Sequence, residues 1–322
     1  MTTYKEVIGT AVTNIAGNSP TTVNGDIWYN SSDTTFNFNT IVTAAWATGG
    51  NYPTGTQELA GAGTQTAALA FGGENPGEDQ TDKTFEYNGS AWTAGGDLST
   101  ARRLLSGCGT QTAGLAFGGV VGGSRQDSTE EYGGTSWTAG GAMGDGRENM
   151  AAAGIQTAAL AIAGDSGPKK QTEEYNGSSW TSGGNLGTAR YFLAGAGTQT
   201  SALAFGGQPP TNGLNNTEEY NGSSWTTGGN LGTARTQLAG CGLQTAAVAF
   251  GGTQGSGSNA TELYNGTSWT ASAAMGTARR LLAGAGIQGG AIAIAGDTQG
   301  TGVTTATEEF AAGAVTAIIA TT

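Results

Sequence analysis

The chain has 322 residues, only 11% of them charged, with 59 glycines, no histidine and a net charge of −12. Without an imidazole there is no His-based acid–base catalysis, no Ser-His-Asp triad and no histidine metal site. The excess of acid, with no basic cluster beyond pairs such as Lys169–Lys170, lacks the footprint of a nucleic-acid binder. The start, MTTYKEVIGT, shows neither the basic nor the apolar region of a signal peptide, and the late run AVTAIIA is too short to cross a membrane.

In chain order, residues 1–43 come first as a separate N-terminal segment. A turn-rich stretch, GNSPTTVNG, leads into GDIWYNSSDTTFNFNT (25–40), which reads as a hairpin. Ile27, Trp28 and Tyr29 lie on one strand, Phe36 and Phe38 on the other, with the turn at Asn30–Asp33. Trp28 and Tyr29 are candidate attachment residues. From residue 44 to 322 the chain repeats. Trp46, Trp92, Trp137, Trp180, Trp225 and Trp269 stand 46, 45, 43, 45 and 44 residues apart. All but the first have an arginine ten residues later: Arg102, Arg147, Arg190, Arg235 and Arg279. A period in the forties that holds several strands is the signature of a propeller blade.

Each unit has four short apolar runs. The first is small-residue rich, as in LAGAG (59–63), and Gly and Ala at that density imply the close backbone approach of an innermost strand. Its Cys copies, Cys108 and Cys241, lie three repeats apart, too far to bridge, and read as small buried thiols unable to hold zinc. The second run is AALAFGG (67–73); the third ends in an aromatic such as Tyr87; the fourth carries the Trp. Asn-Gly after the third run predicts tight type I′ turns. The strand order puts the uniform GTQT and NGSS turns on one face. The connections from run two to run three, which differ in length and content, share the other face. Divergent loops on a constant scaffold are how repeat proteins present binding surfaces. The candidate recognition residues are therefore Glu78, Asp79, Asp82, Arg125, Asp127, Lys169, Lys170, Asn212, Asn215, Gln254, Asn259 and Asp297.

A diglycine after an apolar strand, a Tyr shortly before a Trp, then an Arg: Gly72–Gly73, Tyr87, Trp92 and Arg102 resemble the kelch repeat over roughly residues 44–310. The pattern departs from kelch where Ile162–Gly164 and Ile294–Gly296 read IAG, and where Val315 stands in place of Trp. The segment GDIWYNSSDTTFNF, joined to GTQTAALAFGG-type repeats, is similar to structural proteins of marine tailed phages. The fold expected is an all-β, kelch-like propeller of four-stranded blades. Six full repeats are present, the last ending in AVTAIIA as its fourth strand; the Trp46 segment claims the same slot, and residues 5–47 are enough for a seventh blade, towards which the count leans.

The repeated Trp and Arg read as structure before chemistry. Each Arg is expected to pair with a repeated carboxylate (Glu86, Glu131, Glu174, Glu219, Glu309) or with backbone carbonyls. The Gln of each GTQT turn makes a ring on the uniform face that could bind a symmetric partner but reads first as a turn cap, and the Trp set reads as inter-blade packing. Glu78, Asp79 and Asp82 are possible calcium ligands, though solvated loop charge is the commoner case. The glycine-rich runs lack the Lys-Ser/Thr of a phosphate loop. No cofactor is implied. The resemblance implies a non-enzymatic virion protein of tail-fibre type, made in the host cytoplasm. Its partners would be other virion proteins, a host surface glycan or protein, and, in an oligomer, further copies of itself. The alternatives are a decoration or assembly protein binding only virion components and, last, a glycan-active enzyme using carboxylates alone.

Overall fold

The structure, a computed structural model, describes residues 13–15, 27–30, 35–40, 43–77, 80–165, 167, 169–209, 213–299, 302–313 and 315–319. They form two compact units, Trp46–Ala311 and a smaller one that combines residues up to Ala45 with those from Ala312 onward.

The smaller unit is a four-stranded sheet in the order Thr13–Ile15, Ile27–Asn30, Thr35–Thr40, Val315–Ile319. The expected hairpin pairs as its period-two pattern requires, with Ile27 opposite Phe38 and Tyr29 opposite Phe36. The centre of its turn, residues 31–34, lies outside the described residues. Thr13–Ile15 runs parallel to Ile27–Asn30, which is not the antiparallel meander of a blade. Val315–Ile319 pairs with Thr35–Thr40, not with the last repeat as its fourth strand.

The larger unit is a β-propeller of six four-stranded blades. In the first, Ala60–Thr64, Ala67–Phe71, Thr84–Tyr87 and Trp92–Ala94 follow one another from the axis outward, all antiparallel. The sixth consists of Ala283–Ile287, Gly290–Ile294 and Thr307–Ala311, completed by Ala45–Thr48 from the start of the repeat region. The two claimants for one fourth-strand slot are thus resolved in favour of Trp46. The innermost strands adjoin in a closed cycle, Ala283–Ile287 meeting Ala60–Thr64, so the ring closes at six, and no seventh blade is found in it among the described residues.

Small residues line the axis because neighbouring blades leave no space there. A Cβ on Gly107 would sit 2.3 Å from Cζ of Phe71 in the preceding blade. The second strands, covered on both faces, are apolar runs broken only by Ser201 and have no exposed residue.

Four kinds of link tie the blades to one another, and two blades lack one kind each. The outer-strand Trp donates from Nε1 to a third-strand Thr, as Trp137 does to Thr84 at 2.9 Å, and this recurs at all six interfaces. The turn Gln does not cap its own turn. Instead Gln111 Nε2 reaches Ala68 O at 3.0 Å and Tyr87 O at 2.6 Å in the preceding blade, and every other repeat does likewise. The third-strand tyrosine donates to a glutamate of the preceding blade, as Tyr132 does to Glu86 at 2.6 Å. Burial, reinforced by that carboxylate, pushes the Tyr132 phenol up to about 12.

The fourth link is the arginine, and here the expected partner is wrong by one residue. Arg102 pairs with Glu130, Arg235 with Glu262 and Arg279 with Glu308, while Arg147 and Arg190 pair with Glu173 and Glu218. The neighbouring glutamates Glu86, Glu131, Glu174, Glu219 and Glu309 take the tyrosines. Successive strand residues point to opposite faces, so the two glutamates of each EEY run serve opposite interfaces. The backbone-carbonyl part of the expectation holds. With its backbone bonded to Thr81 and Gly73 of the preceding blade, Arg102 also grips through Nη1 Gly118 O and Ser128 O, the two ends of the variable loop in the blade of Glu130.

The pairs are lost together. The arginine slot before the first blade is Thr56, and the matching glutamate slot is Phe85, which packs edge-on against Tyr52. In the sixth blade Phe310 replaces the tyrosine, and the glutamate slot of the fifth blade is Leu263. A buried charge without its mate is costly, so neither half is kept alone.

The Asn-Gly turns also differ from expectation. Asn88 begins a four-residue loop between Tyr87 and Trp92, and only Gly89 of the pair has a positive φ. Asn88 earns its place through Oδ1, which accepts from the amides of Ser90 and Ala91.

Cys108 and Cys241 are free, buried and line the axial channel. Burial raises both thiols, Cys108 to about 12. Both are expected to label with a thiol reagent at pH 8 only at the rate at which the ring unfolds. Immediate labelling of the native protein would contradict their burial.

Candidate functional site

The linkers that enter each blade and the loops between second and third strands meet on one face. Gln57 bridges Glu74, Arg103 bridges Val120, Tyr191 bridges Gln208, Thr236 bridges Thr253 and Arg280 bridges Asp297. Around the axis on this face, six linker residues form a closed ring of backbone hydrogen bonds. Leu104 N donates to Glu58 O, Asn149 to Leu104, Phe192 to Asn149, Gln237 to Phe192, Leu281 to Gln237 and Glu58 to Leu281, all at 2.9 or 3.0 Å.

Every member of the ring has a φ between 52° and 59°. That left-handed backbone is cheapest for glycine and costs other residues about 1–2 kcal/mol each. In a chain with 59 glycines, none of the six positions uses one. Their side chains surround a cavity of about 100 Å³ at the mouth of the channel. Unlike the four inter-blade links, this slot does not repeat: it reads Glu, Leu, Asn, Phe, Gln, Leu.

Among the described residues, the buried side-chain polar atoms without a partner are Nε of the five arginines, Asn149 Oδ1 and Thr236 Oγ1. The arginine set recurs with the repeat. Asn149 lines the mouth cavity, and Thr236 lines a larger polar cleft of about 700 Å³ shared with Gln208, Gln237, Gln254, Arg280 and Gln299. Both are about nine-tenths buried. Gln237 belongs to both cavities.

Charge at the mouth is paired but unbalanced. Arg103 Nη1 holds Glu58 Oε2 at 2.9 Å and Glu74 Oε2 at 2.8 Å. Burial raises the Glu58 carboxyl to about 7; Arg103 opposes this, and the charge and hydrogen bond of Glu74 add to it. An acid raised by folding stabilises the protein below its unfolded pKa, and that contribution is lost as pH rises through the folded value. Between about pH 4.5 and 7 the wild type should therefore lose stability that Glu58→Gln keeps. Thermal melts across this window check it, and parallel curves for the two proteins would contradict it.

The predicted recognition residues are divided among different duties. Asp82, Asp127, Lys170, Asn215 and Asn259 sit at the loop ends, where their carbonyls accept from Leu98, Met143, Leu186, Leu231 and Met275. Asn215 and Asn259 add a side-chain bond to the same linkers. Lys170 Nζ donates to Gly187 O, and Asp82 pairs with Lys83. Arg125 spans Glu148 and Asp165 in the linker and loop of the next blade, and Lys169 joins Asp165 and Asp145. Asp297 holds Arg280 at 2.8 Å, beside the cleft lined by Gln254. Glu78, Asp79 and Asn212 lie outside the described residues. Of Trp28 and Tyr29 only the strand is described. No cluster of three metal-ligating side chains occurs among the described residues.

Sequence reasoning missed the ring residues. Their signal was present: between the repeated arginine and the small-residue strand, two consecutive slots change character in every unit.

No family model matches the chain, and no curated protein matches its sequence. Among solved structures, one titled "Structure of YjhT" superposes with a TM-score of 0.68 at 13% identity, over 84% of this chain and 99% of that one. At that identity the likeness establishes the fold, a six-bladed β-propeller.

Proposed function

We propose that this chain is a non-enzymatic binding propeller that recognises its ligand on the loop face, around the channel mouth. The carrying observation is the ring of six non-repeating side chains held in left-handed backbone on an otherwise repetitive scaffold. Strain of this kind gathers where binding requires it. The five buried arginines support the same reading, because they fix both ends of loops whose contents differ. The 700 Å³ cleft beside the mouth is of ligand size and lined by amides and hydroxyls, as suits a polar ligand such as a glycan or a peptide.

The finer reading, a virion appendage of tail-fibre type that attaches the particle to its host, rests on the sequence resemblance. Its test is binding of the purified protein to candidate host cells, before and after short uniform turns replace the second-to-third-strand loops inside their arginine clamps. Binding should be lost with the melt unchanged; retained binding would remove the loop face from the account.

One observation favours a second reading, a decoration or assembly protein. Ile155, Leu243 and Ile287 are more than half exposed at the ends of inner strands on the opposite, uniform face. They suit protein docking better than the glutamines, which the inter-blade links consume. A carboxylate-only hydrolase would centre on Glu58 and Glu74. Both are engaged by one guanidinium, and we assign them to binding.

A further inference from the structure

We propose that the mouth cavity takes a primary ammonium group, the tip of a lysine side chain on a protein partner, held by Glu58 and Asn149. This rests on the loop face being the recognition surface and names what that face reads at its centre.

Size comes first. About 100 Å³ holds a few waters' worth of ligand, which suits an ammonium with one or two methylenes rather than a sugar ring. Shape and polarity agree. Leu104 and Leu281 flank Glu58 in the ring and provide apolar walls for methylenes. Phe192, three places away in either direction, lines the same cavity and is of the residue class that attracts a cation. Asn149, between Leu104 and Phe192, keeps a buried side-chain oxygen that no protein donor satisfies. Rotation of that amide towards the cavity supplies an acceptor to a group that is only a donor.

Charge decides the sign. Glu58 and Glu74 share a single guanidinium, so the group is net negative when both are ionised. Among the described residues no other ionisable side chain lines the cavity; the next cation, Arg280, reaches Gln237 Oε1 and is paired with Asp297. At neutral pH the excess is partly cancelled by a proton, since Glu58 titrates near 7 under burial and the neighbouring Glu74. A cation entering the mouth takes over the role of that proton. Binding therefore releases a fraction of a proton at neutral pH, and affinity climbs as pH rises through 7.

The test uses the full chain and n-butylammonium, with n-butanol, potassium ion, glucosamine and a lysine-bearing peptide compared by calorimetry. Butylammonium and the peptide are expected to saturate the site, with affinity about tenfold higher at pH 8 than at pH 6. Butanol should not compete. Glu58→Gln should abolish the pH dependence and weaken binding at pH 8 by at least about tenfold. Asn149→Leu should weaken binding while leaving the pH dependence in place. Melts confirm that both variants fold. Equal binding of butanol, displacement by potassium, or an unchanged Glu58→Gln profile would overturn the proposal. Preference for glucosamine over the lysine peptide would overturn the lysine assignment. Because the probe is a free amine and the protein is purified, a failure here leaves the cell-binding result to stand or fall by itself.

Discussion

Replacing Trp46 with alanine is expected to lower the stability of the ring by about 3 kcal/mol, although the residue precedes the first complete repeat. Trp46 closes the circle. Its ring lies 5.1 Å from both Phe250 and Phe310, and its Nε1 donates to Thr261 across the last interface. Its strand, Ala45–Thr48, covers the free edge of Thr307–Ala311. Removal of residues 1–48 should go further and leave a hydrogen-bonding edge exposed, with association of chains as the consequence. Denaturant melts of Trp46→Ala and size-exclusion of the truncated chain check both. A truncated chain that stays monomeric with an unchanged melt would mean that the ring closes by other contacts.

The second large effect is at the arginine clamps. Arg235→Met should cost about 3–5 kcal/mol, since it leaves Glu262 buried without its charge partner. Two carbonyls, of Gly251 and Ala260, lose a donor as well. The protein itself contains the rescue. At the first blade the equivalent slots are Thr56, Phe85 and Tyr52, an aromatic cluster with Trp92 in place of an ion pair. The triple change Arg235→Thr, Glu262→Phe and Leu231→Tyr should therefore recover most of the loss in an equilibrium melt. Recovery is expected because each buried guanidinium already leaves Nε unpaired and is lowered in pKa by desolvation. A triple variant no better than Arg235→Met would show that the clamp does more than fill its interface.

Much of this fold was legible in the sequence because a repeat shows its own averages. The Trp spacing marked the blades, and the small-residue runs marked the axis. What escaped were relations between repeats. A list of EEY runs does not say which glutamate faces which blade; the alternation of strand faces does, and it moves the arginine partner from Glu131 to Glu130. The paired losses at Thr56 with Phe85, and at Phe310 with Leu263, held that information. The closing strand was ambiguous because Trp46 and Val315 claimed one slot, and only pairing resolves such a tie. The mouth ring was hidden for the opposite reason: its residues fit no motif, and their left-handed backbone leaves no trace in residue type when glycine is not used.

The central claim is that the ring is a scaffold and the mouth is its reader. The most direct measurement replaces Glu58, Leu104, Asn149, Phe192, Gln237 and Leu281 together with glycine, then records the melt and the binding to candidate host cells. Relief of left-handed strain, about 1–2 kcal/mol per site, should roughly offset the lost side-chain contacts and the added freedom of the unfolded chain. The account predicts a melt closer to wild type than that of Arg235→Met, with binding abolished. A folded variant that still binds, or one that cannot fold at all, would contradict it.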